Sequence, residues 1–292
     1  MTEHYGVAVE PDVEIRVRID GPDHGAPIVL LHGYLGSGRQ WDANVESLVD
    51  AGYRVIRPDH RGHGASTSVG DESAYTFDHL HRDVRTIVEA LGIERFHLVG
   101  HSMGGLIAEL FAISDQERLL SLVLVDCSPF AGSHAERRSM TAVRRFVGYR
   151  LGPSRLVRGL RPVLRHVKVA APPGRTPAER RDALVELERS VADVDPAAFV
   201  ALGEQLAAHD DLRPFLGSIA VPTTVIVGEH EFARLRAGAA ALRDGIPGAR
   251  LVEIPGAGHS PPMERPARFD ETLLDHLDRW TGHSTAPEPA VR

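Results

Sequence analysis

The stretch LVGHSMGG, residues 98–105, decides the fold of this chain. It begins as an apolar run typical of a strand buried in a parallel sheet, and the helical sequence LIAELFA follows it directly. Ser102 therefore lies on a sharp strand-to-helix turn that exposes its hydroxyl at the edge of the sheet, where Gly100 and Gly104 leave room for the backbone. The N-terminus of the following helix favours negative charge that develops there.

Further apolar runs place this turn in a mostly parallel sheet. Helical sequences separate the runs, and the clearest, 77–91, repeats its apolar residues every three or four positions. Strands that alternate with helices imply right-handed crossovers and hence parallel pairing. The alternation of apolar and polar residues at 13–19, preceded by YGVAV at 5–9, predicts an opening hairpin. The other buried runs are 27–33, 53–59, 121–126, 223–229 and 250–256.

The alternation of strands and helices breaks in the middle of the chain. Between residues 128 and 220 no strand-like run occurs, and helical patterns are separated by Gly- and Pro-rich turns. We therefore predict a sheet domain formed by residues 1–127 and 221–282. Residues 128–220, inserted after the sixth strand, are predicted to form a helical lid and a helix that returns to the sheet domain. We expect residues 283–292 to be a disordered tail.

Composition limits the classes of function. The 292 residues are 42% hydrophobic, which is enough for one large core, and the formal net charge of −7 argues against nucleic-acid binding. The single cysteine, Cys127, can form no internal disulfide. The N-terminus lacks a signal-like apolar run, and no window reaches the roughly 18–20 apolar residues of a membrane span. We expect a cytoplasmic location.

One segment departs from the acidic character of the chain. Residues 134–168 contain nine arginines and Lys168 against a single acid, Glu136. Such a run is usually a solvated helix face. It would also suit an anionic substrate, an acidic carrier protein or an anionic membrane surface.

A serine hydroxyl needs a base, and His259 is the candidate among sixteen histidines. It lies in the loop PGAGHSPPMERP, residues 255–266, after the last buried strand, and thus fits the order serine, acid, histidine. The backbone N–H groups of Tyr34, after the strand that ends in LLHG, and of Met103 are the candidate oxyanion donors. Histidines in glycine-rich turns are expected to have structural or hydrogen-bonding roles: His32, His60, His63 and His101.

Taken together, these motifs resemble the α/β-hydrolases of the lipase/esterase and cofactor-free haloperoxidase type. The resemblance implies an eight-stranded α/β-hydrolase fold with helices on both faces, a lid and a serine triad, and it implies no cofactor and no metal. The matching segments are HGYLG (32–36), DHRGHGAS (59–66), GHSMGG (100–105), VPTTVIVGE (221–229) and GAGHSPPMERP (256–266).

The acid of the triad has two candidates. In the family that this chain resembles, the strand before the acid usually ends in V-G-x-x-D, and here the last position is Glu231, one methylene longer. Some relatives take the acid from the preceding strand, which makes Asp126 the alternative. A metal site at Glu229-His230-Glu231 is not expected, because adjacent side chains point apart and no His-x-His or Cys pair supplements them.

These residues predict a serine hydrolase that cleaves a carboxylic ester, thioester or lactone of a small or medium acyl substrate, anionic or carrier-bound, through an acyl-enzyme. One alternative is acyl transfer. Another is an elimination like that of the menaquinone-pathway enzyme, although Leu106 replaces an arginine expected there. A third is a ligand-binding protein on the hydrolase scaffold, which an intact Ser102 and His259 argue against.

Overall fold

A single eight-stranded sheet organises the chain, in the order β1-β2-β4-β3-β5-β6-β7-β8. β1 and β2 form the predicted hairpin, β2 pairs with β4 antiparallel, and all later pairs are parallel. The computed structural model describes residues 2–131, 141, 143–152, 155, 158–159, 185 and 189–281. The strands are β1 Glu3–Glu10, β2 Val13–Asp20, β3 Ala26–Leu31, β4 Tyr53–Pro58, β5 Phe96–His101, β6 Leu119–Val125, β7 Thr223–Gly228 and β8 Arg250–Ile254.

Helices cover both faces of this sheet. The α-helices are α1 Val45–Asp50, α2 Phe77–Ala90, α3 Met103–Ser114, α4 Pro196–Ala208, α5 Ala233–Gly245, α6 Pro261–Glu264 and α7 Pro266–Thr281. Shorter 3-10 helices lie at Gly38–Asn44, Glu72–Ala74, Gln116–Arg118 and Arg213–Ser218, and a π-helical turn at Val147–Leu151.

Two apolar cores result from the alternation of side chains along the strands. Val29 and Leu31 of β3 face the core that α2, α3 and α5 cover, whereas Ile28 and Leu30 face the core that α1 and α7 cover. These strand residues are fully buried, which explains why the strands read as unbroken apolar runs. The carboxyl ends of the parallel strands meet at one edge, where ligands of such sheets bind.

Helix α4 brings the chain back from the lid to the sheet domain, and Asp195 fixes its start. The Asp195 side chain accepts a hydrogen bond from Ala197 N at 2.8 Å, as an N-cap should, and a second from Gly70 N at 2.8 Å. It also accepts one from the hydroxyl of Tyr75, which is fully buried. One carboxylate thus caps α4 and holds it against the loops before α2.

The predicted fold class is confirmed, and the described parts of 128–220 contain helices and turns without a strand. Most of the basic segment 134–168 and the tail 283–292 lie outside the described residues. Within the part of the chain that the structure describes, no helix has the length and apolarity required to cross a membrane.

Candidate active site

Ser102 occupies the single residue between β5 and α3. Its backbone has φ 53° and ψ −112°, a conformation that L-residues avoid, and its N–H donates to the carbonyl of Val125 at 2.8 Å. The turn is as tight as its glycines suggest, because a Cβ on Gly104 would lie 2.4 Å from the carbonyl oxygen of Leu31. The strain is therefore maintained by packing on both sides of the serine.

His259 lies between Ser102 and an acid. Its Nε2 is 3.1 Å from Ser102 Oγ, and its Nδ1 contacts Oε2 of Glu231. His101 Nε2 donates to the His259 carbonyl at 2.6 Å, which ties the loop of the base to the end of β5. The structure thus brings together three of the residues that the sequence singled out.

Glu231 is well placed to hold this imidazole. Its side chain is 0% exposed, its second oxygen accepts from Phe232 N at 2.6 Å, and its own N–H donates to the Gly228 carbonyl at 3.1 Å. Burial alone would raise the pKa of Glu231, but the hydrogen bond and charge of His259 outweigh burial and lower it. The carboxylate is therefore ionised at neutral pH.

Asp126, the alternative acid, lies beside this pair without a hydrogen bond to His259. It follows β6 with φ 45°, and its Oδ1 accepts from Gly228 N at 3.0 Å. Its Oδ2 is buried, and the carboxyl lies within hydrogen-bonding reach of the Glu231 carboxylate. Burial and the negative charge of Glu231 raise the pKa of Asp126 well above its usual range, which favours its protonated form beside the ionised Glu231.

The two predicted oxyanion donors belong to segments next to the serine, Met103 directly after it and Tyr34 in the loop that follows β3. A Cβ on Gly33 would lie 3.3 Å from Ser102 Cβ, so the loop after β3 packs directly on the nucleophile turn. Within the described residues the N–H of Tyr34 has no acceptor, whereas the N–H of Gly33 donates to Gln40 Oε1 at 3.0 Å. Met103 begins α3, where an N–H lacks an intrahelical acceptor.

The side chain of Tyr34 connects this loop to α4, a link that the sequence did not predict. Its hydroxyl donates to the carbonyl of Phe199, and the two rings stack with centroids 6.0 Å apart. Burial raises the pKa of the Tyr34 hydroxyl, which keeps it protonated as the donor of this bond. Tyr34 thus links α4 to the loop that carries one candidate oxyanion donor.

The remaining histidines near the site make hydrogen bonds to the backbone. His32 Nε2 accepts from the N–H of His60 at 2.9 Å, and the ring nitrogens of His60 and His63 contact carbonyl oxygens of His32 and Arg61. Burial lowers the pKa of His60 and His101 to about 3, so both rings are neutral. These contacts match the hydrogen-bonding roles expected from the sequence.

Among the described residues, one group of side chains has the spacing of metal ligands. Ligand atoms of His101, Asp126 and His259 lie within 4.8 Å of one another. Both ring nitrogens of His259 already contact Ser102 and Glu231, so metal binding would disrupt that arrangement. In the segment Glu229-His230-Glu231, the Glu229 side chain accepts a hydrogen bond from Gly256 N at 2.7 Å, whereas Glu231 contacts His259.

A cavity lies between α2, α3 and α4. It has a volume of about 630 Å³, within the usual range for a small-molecule site. Ser102 does not line it, but Leu106, one turn further along α3, does, together with Leu110 of α3 and Gln205 of α4. The cavity thus reaches α3 one turn beyond the nucleophile, and its walls are of mixed polarity.

This fold and arrangement define the α/β-hydrolases, and the comparison with known families agrees. The family model for the alpha/beta hydrolase fold matches residues 26–266, so the chain belongs to that family and is an α/β-hydrolase enzyme.

Among individual proteins, the chain resembles several named hydrolases. It is 30% identical over 293 residues to 2-hydroxy-6-oxononadienedioate/2-hydroxy-6-oxononatrienedioate hydrolase of Paraburkholderia phymatum, covering 94% of this chain and 96% of the relative. It is 29% identical over 263 residues to the pimeloyl-acyl-carrier-protein methyl ester esterase of Aeromonas hydrophila, covering 89% and 98%. The crystal structure of the enol-lactonase of Burkholderia xenovorans LB400 superposes with a TM-score of 0.80 at 28% identity, covering 93% of this chain and 99% of that one.

Proposed function

We propose that this enzyme hydrolyses a carboxylic ester bond, thioesters and lactones included, through an acyl-enzyme on Ser102. The observation that carries the proposal is the 3.1 Å approach of His259 Nε2 to Ser102 Oγ, with Glu231 on the opposite nitrogen. This geometry is that of a nucleophile, its general base and the acid that orients the base.

In the first half of the reaction, His259 Nε2 takes the Ser102 hydroxyl proton as Oγ attacks the carbonyl carbon of the substrate. The carbonyl oxygen becomes an oxyanion, and the N–H groups of Tyr34 and Met103 donate to it. Collapse of this intermediate breaks the bond to the leaving group, which receives the proton from Nε2. The acyl group is then bonded to Ser102.

In the second half of the reaction, water is the nucleophile and Ser102 Oγ is the leaving group. His259 takes one water proton, the water oxygen bonds to the acyl carbon, and the same donors stabilise the oxyanion. The bond to Ser102 Oγ breaks, and Oγ recovers its proton from Nε2. Glu231 stays ionised and stabilises the imidazolium that forms in each half.

The substrate that we propose is a small or medium acyl compound that carries a negative charge or is bound to an acidic carrier. Support comes from the names of two relatives, one of which specifies a dioate and the other a carrier-bound methyl ester. Further support is the concentration of arginines in residues 134–168.

Fluorophosphonate labelling, followed by a substrate screen, tests the proposal. The wild type should be labelled and Ser102→Ala should not, because the probe forms its bond with an activated serine. Wild type should then release acid from p-nitrophenyl esters, thioesters or lactones. An unlabelled wild type without turnover on any of these would contradict the proposal, and a product formed only when an alcohol or thiol acceptor is added would indicate acyl transfer.

A further inference from the structure

Arg144 reaches from the lid towards the loop of Tyr34. It lies in the described helical stretch 143–152. A Cβ on Gly203 of α4 would lie 2.6 Å from Arg144 Nε and 2.7 Å from the hydroxyl oxygen of Tyr34. The guanidinium and the Tyr34 ring therefore pack against the same point of α4, beside the loop whose backbone is a candidate oxyanion donor.

One nitrogen of this guanidinium lacks an acceptor. Arg144 Nη1 is buried from solvent and has no hydrogen-bond partner in the described chain. A buried N–H of a charged group without an acceptor is costly, because nothing replaces the water that it loses on burial. The site therefore favours an acceptor that the protein itself does not supply.

The adjacent arginine differs in each of these respects. Arg145 is 48% exposed and makes ion pairs with Glu72 at 2.7 Å and Glu204 at 3.5 Å. Both acids therefore pair with Arg145, one from the turn before α2 and one from α4. The charge of Arg144 acts on Tyr34, where it opposes the effect of burial on the pKa of the hydroxyl.

We propose that Arg144 binds a carboxylate on the acyl part of the substrate, so that the preferred substrate is the monoester of a dicarboxylic acid. A carboxylate offers the fixed pair of oxygens that suits a guanidinium. The inference rests on the proposed ester hydrolysis and specifies its substrate class. Arg144 is thus a binding residue for the end of the acyl chain remote from the scissile bond.

The test compares two esters of equal chain length, p-nitrophenyl hexanoate and the mono-p-nitrophenyl ester of adipic acid. In wild type, the ratio of kcat/KM for the charged ester to that for the neutral ester should exceed the same ratio in Arg144→Met about 10- to 100-fold. Arg144→Lys should lie between them. The matched control Arg145→Met, which removes an exposed and paired arginine, should leave the ratio at the wild-type value.

A binding measurement separates this inference from the proposed chemistry. Calorimetry should show that the Ser102→Ala variant binds the adipate monoester more tightly than the hexanoate ester. In a double variant that also carries Arg144→Met, the two affinities should be equal. Equal affinities with and without Arg144, or an equal loss in Arg145→Met, would overturn the role of Arg144 even if esters are hydrolysed. Conversely, charge-dependent binding without turnover would overturn the ester chemistry alone. Unfolding midpoints of all variants confirm that each is folded.

Discussion

Nδ1 of His259 contacts Oε2 of Glu231, whose side chain is fully buried at the end of β7. A carboxylate at Nδ1 fixes the tautomer in which Nε2 faces Ser102 free to accept a proton. A glutamate thus occupies the position where the resemblance leads one to expect an aspartate. The additional methylene is accommodated because Glu231 N and its Oε1 are both held by the turn that follows β7.

Removing the charge of Glu231 should nearly abolish turnover. In Glu231→Gln the amide keeps the shape but cannot stabilise the imidazolium, and we expect kcat to fall about 10²- to 10⁴-fold. Steady-state hydrolysis of a p-nitrophenyl ester measures this. Glu229→Gln, which alters a carboxylate bound to Gly256 N, is the control and should remain close to wild type.

Asp126→Asn should keep kcat within about fivefold of wild type, because an amide oxygen can still accept from Gly228 N and the raised pKa of Asp126 already favours a neutral group there. Asparagine also tolerates the positive φ at this position. Asp126→Ala should instead lower the free energy of unfolding by about 1–3 kcal/mol, through the lost acceptor. If Asp126→Asn were as impaired as Glu231→Gln, Asp126 would be the acid of the triad.

Ser102→Gly should be inactive and more stable than Ser102→Ala. Both changes remove the hydroxyl, but only glycine relieves the backbone at φ 53° and ψ −112°. We expect a difference of about 1 kcal/mol or more, seen as a rise of about 2–4 °C in Tm. Thermal unfolding of the two variants at one pH measures it, and equal midpoints would show that the turn stores no strain.

Glu109 should make stability depend on pH. It lies on α3 with its side chain fully buried and close to the thiol of Cys127, and burial raises its pKa from 4.5 to about 8. Between these values the folded state holds a proton that the unfolded state has lost, so its contribution to stability falls as pH rises and levels off above about 8.

Urea unfolding of Glu109→Gln and wild type at pH 5 and pH 8 checks this prediction. The variant lacks the titration, so its advantage over wild type should grow by about 2–4 kcal/mol between the two pH values. Glu117→Gln, on an exposed residue of the following turn, should run parallel to wild type. A Glu109→Gln curve parallel to wild type would mean that the Glu109 carboxyl already has an adequate partner.

The sheet could be predicted from the sequence because its central strands are buried on both faces. The run 53–59 became β4, Tyr53–Pro58, and the run 223–229 became β7, Thr223–Gly228, each within one residue. Helix α5 was not predicted from the sequence. Its segment ARLRAGAAALRDG packs through small residues such as Gly238 and Ala239 rather than through a stripe of large apolar side chains.

The choice between two acids could not be made from the sequence. Asp126 and Glu231 follow β6 and β7, neighbouring parallel strands, so both lie at the same edge of the sheet. Asp126 has a positive backbone φ, and its side chain accepts a hydrogen bond from Gly228 N, whereas Glu231 contacts His259. Hydrophobic patterns do not encode these local features. The position of Arg144 against Gly203 is likewise a long-range contact between the lid and α4.

The close backbone contact at Gly228 bears on how heat inactivates the enzyme. A Cβ there would lie 2.0 Å from the carbonyl oxygen of Gly258, so the loop of the acid and the loop of the base touch backbone to backbone. Backbone hydrogen bonds from Glu229 N to the Ile254 carbonyl, at 3.1 Å, and from His230 N to the Ala257 carbonyl, at 2.9 Å, join the two loops to each other and to β8. Activity and sheet structure should therefore be lost together on heating, in one cooperative transition without a folded but inactive intermediate.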